Sequence, residues 1–306
     1  MQRQDIPHGR THGPFVYVAF DEIGEMVEES LKAAAARPWA ANDYDEKHLR
    51  NAKHAAWVQG DTDVRLRSFD EVAEKCVGTW ESGLKEFEKM REQLADVELP
   101  TPTSIRRRPA YRDDDGDEIC LDRLKTGKPD FWRTTTRQAS TARKQVTIVT
   151  AIGAPSKIDT LKLMWRGIAA VVLCDKLEEA GYSVEIVGAQ YVDHGLATGK
   201  GNNARQIDFA SSVILKRHGE PLDVATLVSV TSGWARRTLW FYSYACVDDL
   251  VPYFTFGLSN SLRPILSHLT QDENAFVSEE LWSFSDAIVW LRNTLERVAA
   301  DEPVAA

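Results

Sequence analysis

The chain has 306 residues, 43% of them hydrophobic and 27% charged, and a formal net charge of −9. These values predict a globular protein with one large domain or two small ones. The chain contains no apolar run of about 18 residues, which excludes a membrane-spanning helix. Its acidic balance disfavours a general nucleic-acid coat.

The first part of the chain, residues 1–103, is predicted to be rich in helix. A short strand at 15–20 leads into an amphipathic helix. A capping box formed by Ser68 and Glu71 begins a long second helix, whose apolar residues recur every three or four positions as far as Leu94. We expect this apolar face to pack within its own domain.

Residues 104–144 are predicted to form a small basic hairpin insert. Between 105 and 144 the chain carries 11 Lys or Arg and 7 Asp or Glu, a local charge of +4. Because the net charge of the whole chain is −9, the rest of the chain carries −13. Asp115-Gly116 is typical of a tight hairpin turn. The acidic run around it does not match a calcium loop, because Tyr111 falls at the first ligand position. A short capped helix with a Gly-Lys-Pro stop follows.

Residues 145–300 predict an α/β core, and 301–306 a frayed tail. The segment 146–150 is almost wholly apolar or β-branched, as in a strand covered on both faces. A helix that starts at Ser156 or Asp159 follows, and a second strand completes the βαβ unit of a parallel sheet.

The rest of the core alternates strands and helices. We expect a third strand at 206–216, at an edge of the sheet, and two helices at 221–231 and 234–246. A last strand at 276–282 precedes a final helix that begins at Ser285. The predicted fold class is α/β, a Rossmann-like, mostly parallel sheet flanked by helices, with a helix-rich N-terminal portion and the basic insert.

The loops that follow the predicted strands are the candidate ligand sites. Ser156 is placed to bind an anion at a helix start or, alternatively, serves only as an N-cap. The glycine-rich loop 193–203 offers Asp193, His194 and Lys200 as ligand contacts. It is not a Walker loop, because three residues instead of four separate its glycines. Its other interpretation is a flexible surface connection.

Arginines are the candidate contacts to a macromolecular partner or a nucleic acid. They are Arg106, Arg107, Arg108, Arg133 and Arg137 in the basic insert, and Arg236 and Arg237 in the core. The alternative for the insert is a solvated surface whose charges pair locally. The alternative for the last two is stacking over the neighbouring tryptophans Trp234 and Trp240.

No residue pattern predicts a catalytic centre, a cofactor or a metal. The serines lack a GxSxG motif, and the histidines and cysteines lack zinc spacing. The four cysteines are far apart, and three fall in apolar or amphipathic segments, so we expect buried free thiols. Without an apolar secretory segment at the start, these features predict a cytoplasmic protein.

Several motifs together resemble a domain family of bacteria and their phages to which no activity is assigned. They are Gly116-Asp117-Glu118-Ile119, Leu121-Asp122-Arg123, the run from Gly127 to Trp132, the run from Val149 to Ala154, Trp165-Arg166-Gly167, and the run from Leu177 to Tyr182. The resemblance covers residues 112–237 and implies no particular activity.

The strand-helix order around Trp165-Arg166-Gly167 also resembles a von Willebrand factor A core, a Rossmann-like fold used in adhesion and in partnering ring ATPases. The metal-binding members have Asp-x-Ser-x-Ser after the first strand, whereas this chain has Thr150-Ala151-Ile152-Gly153-Ala154. The resemblance therefore implies the fold without its metal site.

These observations lead to three functional hypotheses. The first is a non-catalytic intracellular protein, of phage origin if the resemblance holds, that binds a protein partner through the segment 105–144 or the aromatic helix 234–246. The second is a nucleotide- or anion-binding protein, or an enzyme, that uses the loop 193–203. The third is nucleic-acid binding through the basic segment. No membrane association is predicted.

Overall fold

A computed structural model of the chain describes residues 1–6, 15–36, 58–59, 64–100, 104–113, 116, 118–140, 144–153, 158–198, 205–240, 251–252, 261–263, 265–270 and 275–301. The strands are β1 (Gln2–Ile6), β2 (Phe15–Phe20), β3 (Ser104–Arg112), β4 (Glu118–Ile119), β5 (Trp132–Ser140), β6 (Gln145–Ala151), β7 (Ser183–Thr198), β8 (Arg205–Lys216), β9 (Val251–Pro252) and β10 (Phe276–Ser278).

The helices are α1 (Ile23–Ala36), α2 (Phe69–Cys76), α3 (Glu81–Glu92), α4 (Leu121–Lys125), α5 (Thr160–Glu179), α6 (Val224–Val230), α7 (Gly233–Ala235), α8 (Leu266–Leu269) and α9 (Phe284–Asp301). A π-helical turn, Arg236–Trp240, continues α7. Within the described ranges, no helix is both long enough and apolar enough to cross a membrane.

The main sheet combines strands from both ends of the chain. Its order is β1-β2-β8-β7-β6-β10, and β9 pairs with β7 beside this path. β6 runs parallel to β7 and to β10, and β2 runs parallel to β8, whereas β8 is antiparallel to β7 and β1 to β2. The fold is therefore α/β, with a mostly parallel sheet flanked by helices, as predicted.

The predicted βαβ unit is confirmed as β6, α5 and β7. The Asp159 side chain caps α5 by accepting a hydrogen bond from the backbone N–H of Leu161 at 2.8 Å. Gly181 ends the helix with φ at +99°, a left-handed conformation that glycine adopts at low cost. The unit places the carboxyl ends of β6 and β7 at one edge of the sheet, together with the end of β10.

The strand predicted at 206–216 lies inside the sheet, and not at its edge. β8 pairs with β7 on one side and with β2 on the other, so that Phe15 lies opposite Asp208. The described strands of residues 1–103 and of the predicted core therefore share one sheet. The edge prediction failed because local alternation in a strand does not reveal a partner almost 200 residues away.

The long helix predicted from the capping box to Leu94 is two helices. The box itself is present, since Ser68 Oγ accepts from the backbone N–H of Glu71 at 3.2 Å. α2 ends at Cys76, and α3 begins at Glu81 after a break that contains Gly78-Thr79. Glycine and threonine weaken a helix, and the break directs Trp80 into the core, where its ring meets that of Trp234 edge-on at 6.3 Å.

The cysteines of the described residues are free thiols. Cys76 and Cys174 are fully buried, as predicted, and burial raises the pKa of each thiol above its ordinary value. Cys120 is half-buried, and Cys246 lies outside the described residues.

Candidate functional site

Residues 104–140 form a separate three-stranded sheet, which we call the arm. Its order is β3-β5-β4, with β5 in the middle and both pairings antiparallel. The predicted hairpin with Asp115-Gly116 at its tip is wrong in its pairing, because the two segments that flank this turn both pair with β5. The central strand, β5, falls in a segment for which the sequence predicted no strand.

Arg123 holds the arm together through contacts on both sides of α4. Its guanidinium lies 4.2 Å from the centre of the Tyr111 ring. Its Nε donates to Asp130 O at 2.9 Å, and its Nη2 forms an ion pair with the Asp130 carboxylate. The hydrogen bond from Arg123 lowers the pKa of that carboxyl group. One arginine therefore connects the end of β3, α4 and the start of β5.

The surface of the arm is unusual in its exposed apolar side chains. Ile119 is 43% exposed, Leu121 61% and Leu124 44%, and Tyr111 is 37% exposed. Not one of the residues described between 111 and 134 is buried. Exposed apolar clusters of this kind mark interaction surfaces more often than free surface.

The paired strands β3 and β5 are strongly basic. Together they carry six arginines and no acidic residue. The backbone register places Arg107 directly opposite Arg137 and Tyr111 opposite Arg133. Like charges at opposite positions of an antiparallel pair destabilise it.

The predicted partner contacts of the insert thus lie on one small sheet. Arg106, Arg107 and Arg108 are in β3 and Arg137 is in β5, and their side chains lie outside the described residues. Arg133 is exposed, and its Nη1 donates to Glu118 Oε1 at 2.9 Å. This contact is local charge pairing of the kind that the alternative interpretation expected, and the ion pair between Arg123 and Asp130 is a second example in the arm.

The predicted loop site is only partly described. Asp193 and His194 lie in the backbone of β7, which continues to Thr198, and their side chains lie outside the described residues. Ser156 and Lys200 also lie outside them. Asp159, the alternative start of the helix, is the observed cap.

The last two predicted arginines lie on the π-helical turn inside the protein. Arg237 is 5% exposed, and it donates from Nη1 to Thr160 Oγ1 at 2.6 Å and from Nη2 to Ile158 O. Arg237 therefore supports the start of α5 and does not reach the surface. Arg236 is half-buried and interacts electrostatically with Arg166. π-helical turns are frequent at functional sites.

On the face of the main sheet that lies away from α5, polar side chains form hydrogen bonds with one another. The hydroxyl of Tyr191 donates to Asp208 Oδ2 at 2.7 Å, and the hydroxyls of Tyr17 and Ser212 are 2.6 Å apart. Burial raises the pKa of Tyr17, which keeps this phenol neutral. Among the described residues, no three His, Cys, Asp or Glu side chains form a metal-binding group.

Three residues that sequence reasoning did not select stand out in the structure. Leu121 and Leu124 looked like the apolar side of an ordinary short helix, and only their exposure distinguishes them. Arg166 looked like part of a family motif, yet it is 3% exposed. The signal in the sequence was its position on an otherwise apolar helix face, one residue from Trp165 and Gly167.

The fold and the arm define an α/β protein with an added basic three-stranded sheet. The family profile described as a domain of unknown function (DUF7192) matches residues 10–289, and the chain therefore belongs to this family. No curated protein and no solved structure matches the chain. The predicted membership in a family without an assigned activity is confirmed at that level. The bacterial or phage origin and the likeness to a von Willebrand factor A core stay predictions.

Proposed function

We propose that this protein is a non-catalytic binding protein that recognises an acidic surface on another protein through its arm. The observation that carries the proposal is the exposure of Ile119, Leu121 and Leu124 on a small basic sheet. Apolar side chains that gain burial on binding, in an arm whose two main strands carry six arginines, match the composition of the centres of protein interfaces.

The distribution of exposed apolar residues supports the arm over other surfaces. Seven large hydrophobic residues are exposed in the described chain, and four of them lie between Tyr111 and Leu124. The other three, Met1, Val77 and Val289, are far apart in sequence. Among the described residues, the arm is therefore where exposed large hydrophobic residues lie close together in the sequence.

The charge of the arm selects the chemistry of the partner. The strands β3 and β5 carry six arginines and no acidic residue, while the chain as a whole carries −9. An acidic partner surface would be attracted to the arm, and this attraction would increase the rate of association.

A protein partner is favoured over a nucleic acid by the aliphatic residues. Nucleic acids are bound by arginines and by aromatic rings that stack on bases, and Leu121 and Leu124 offer neither. Burying their side chains against apolar groups of a partner contributes about 25 cal/mol per Å² of apolar surface removed from water.

The test is affinity capture with a patch variant and a matched control. Leu121→Glu/Leu124→Glu places two charges in the apolar cluster, and Val289→Glu places one on α9, where Val289 is 58% exposed. Nuclease-treated lysate of the source cells is passed over the wild-type protein and both variants. We expect an acidic protein that is retained by the wild type and by Val289→Glu, is lost from the double variant, and binds directly once purified.

Other occupants give different results in the same experiments. If the wild type dimerises with rising concentration in sedimentation velocity and the double variant does not, the partner of the arm is a second copy of this chain and the proposal is wrong. A mobility shift of an oligonucleotide that weakens steeply with salt would replace it with nucleic-acid binding. Retention of the same proteins by the double variant and the wild type would refute the role of the arm.

A further inference from the structure

The guanidinium of Arg166 is fixed at the carboxyl edge of the main sheet. It projects from α5, and its Nη1 donates to Gly153 O, just beyond the end of β6, at 2.7 Å. Its centre lies 4.7 Å from the centre of the Trp282 ring, in the segment after β10. The guanidinium is therefore held by contacts to the segments that follow two neighbouring parallel strands.

One edge of this guanidinium is unused. Neither Nε nor Nη2 of Arg166 has a hydrogen-bond partner in the described structure, although both atoms are buried. These two N–H groups point in the same direction from one side of the planar group, which is the fork that binds a carboxylate or phosphate with two parallel hydrogen bonds. Leaving buried donors unpaired is costly, so their pairing with a ligand would contribute strongly to binding.

Arg166 is buried near a second positive charge, and the nearest acidic group that acts on it is bonded elsewhere. Burial, and then the nearby charge of Arg236, lower the pKa of Arg166 to about 9, while Glu279 acts in the opposite direction. The carboxylate of Glu279 accepts hydrogen bonds from Ser261 Oγ at 3.0 Å and from the backbone N–H of Leu262. Among the described residues, no carboxylate forms an ion pair with Arg166.

Two hydroxyl groups on the same side of the sheet complete the arrangement. Thr150 in β6 and Ser278 in β10 are neighbours across the parallel pairing. Each lies two residues after Ile148 or Phe276 in its own strand and therefore on the same face. Ile148 and Phe276 pack into the core beneath α5, so the two hydroxyl groups also face the helix that carries Arg166. Both side-chain oxygens are buried, and neither has a hydrogen-bond partner in the described structure.

We infer that Arg166, Thr150 and Ser278 form a binding site for an oxyanion, the carboxylate or phosphate group of a small ligand, which Arg166 takes through Nε and Nη2. Ligands of open α/β sheets bind beyond the carboxyl ends of the strands, which is where this group lies. The site is separate from the arm, and the inference does not depend on the proposed partner.

Anion titration of the full chain tests this site. Thermal unfolding and calorimetry are performed with inorganic phosphate and, separately, with acetate, each against chloride at the same ionic strength. We expect a saturable rise in Tm with at least one of the two, and the anion that produces it identifies the ligand group. Ser278→Ala should weaken that binding by about tenfold, as expected for loss of a hydrogen bond to a charged group.

Ser30→Ala is the matched control, because Ser30 Oγ is also buried without a partner but lies on α1. It should leave the anion response unchanged. Arg166→Lys, which keeps the charge and loses the fork, should abolish the response, and Ser278→Ala tests the site independently if this variant does not fold. No saturable response to either anion in the wild type, or an equal response in Ser278→Ala and Ser30→Ala, would overturn the inference.

Discussion

Gly167 on α5 lies in close contact with Thr231, the residue that follows α6. A Cβ atom at position 167 would be 2.0 Å from Thr231 Oγ1 and 2.3 Å from Thr231 Cβ. Thr231 cannot turn away freely, because its hydroxyl donates to Leu227 O at 2.8 Å. Because Gly167 has no side chain, α5 and α6 can approach each other this closely.

We expect Gly167→Ala to lower the free energy of unfolding by about 1–3 kcal/mol, the usual range for overpacking in a core. Gly24→Ala on α1 is the control, since its new Cβ would be no closer than 3.9 Å to a neighbouring side chain. That change should leave stability unchanged or raise it by up to about 1 kcal/mol, as alanine favours helix over glycine. Urea unfolding of both variants measures the difference, and equal stabilities would contradict the contact.

How far the fold could be predicted differs between the two sheets. The unit of β6, α5 and β7 is local in sequence, and the apolar strand, the Asp159 cap and the Gly181 stop all indicate it. The arm is different, because β3 pairs with a strand that begins 20 residues after β3 ends, across β4 and α4. The local Asp115-Gly116 signal favoured a tight hairpin instead, and no local pattern reveals a competing partner farther along the chain.

The candidate sites were harder to predict for a related reason. Arg166 contacts the ring of Trp282 and interacts electrostatically with Glu279, both more than 110 residues later in the chain. Leu121 is exposed because, within the part of the chain that the structure describes, no residue of α4 is buried. In both cases the sequence shows the type of the residue. It does not show the environment of the residue in the fold, and that environment gives the residue its role.

Two carboxyl groups near Arg91 predict opposite effects of pH on stability. Burial raises the pKa of Asp175 above its ordinary value of 3.8. The hydrogen bond that Arg91 Nη2 donates to Glu179 Oε1, at 2.6 Å, lowers the pKa of Glu179 below 4.5. The folded state therefore favours the protonated form of Asp175 and the ionised form of Glu179.

We expect Asp175→Asn to raise Tm at pH 7, because it removes a desolvated carboxylate, and the gain should shrink as the pH falls through the raised pKa and be gone by about pH 3.8. Glu179→Gln should lower Tm at pH 7, and this loss should disappear as the pH falls below 4.5. Thermal unfolding of both variants and the wild type between pH 3 and pH 7 measures the two differences. A decrease of Tm in Asp175→Asn at pH 7 would mean that attraction to Arg91, 2.7 Å away, outweighs desolvation.

The arm has no buried residue in its described part, so its order should depend on Arg123 to an unusual degree. Arg123→Gln removes the cation–π contact with Tyr111 and the ion pair with Asp130. We expect faster hydrogen exchange at the backbone N–H groups of Cys120 and Lys128, which donate to Phe131 O and Arg123 O at 2.8 and 3.0 Å. The main sheet should keep its protection, because its core contains no residue of the arm.

Lys128→Gln is the control for this experiment, since Lys128 is exposed and its removal also lowers the positive charge by one. Exchange in the arm should remain at the wild-type rate in this variant. If both variants exchange equally fast, net charge orders the arm. If neither variant differs from the wild type, the backbone pairing of β3, β4 and β5 is sufficient to order the arm. A partner would then bind a surface that is ordered without Arg123.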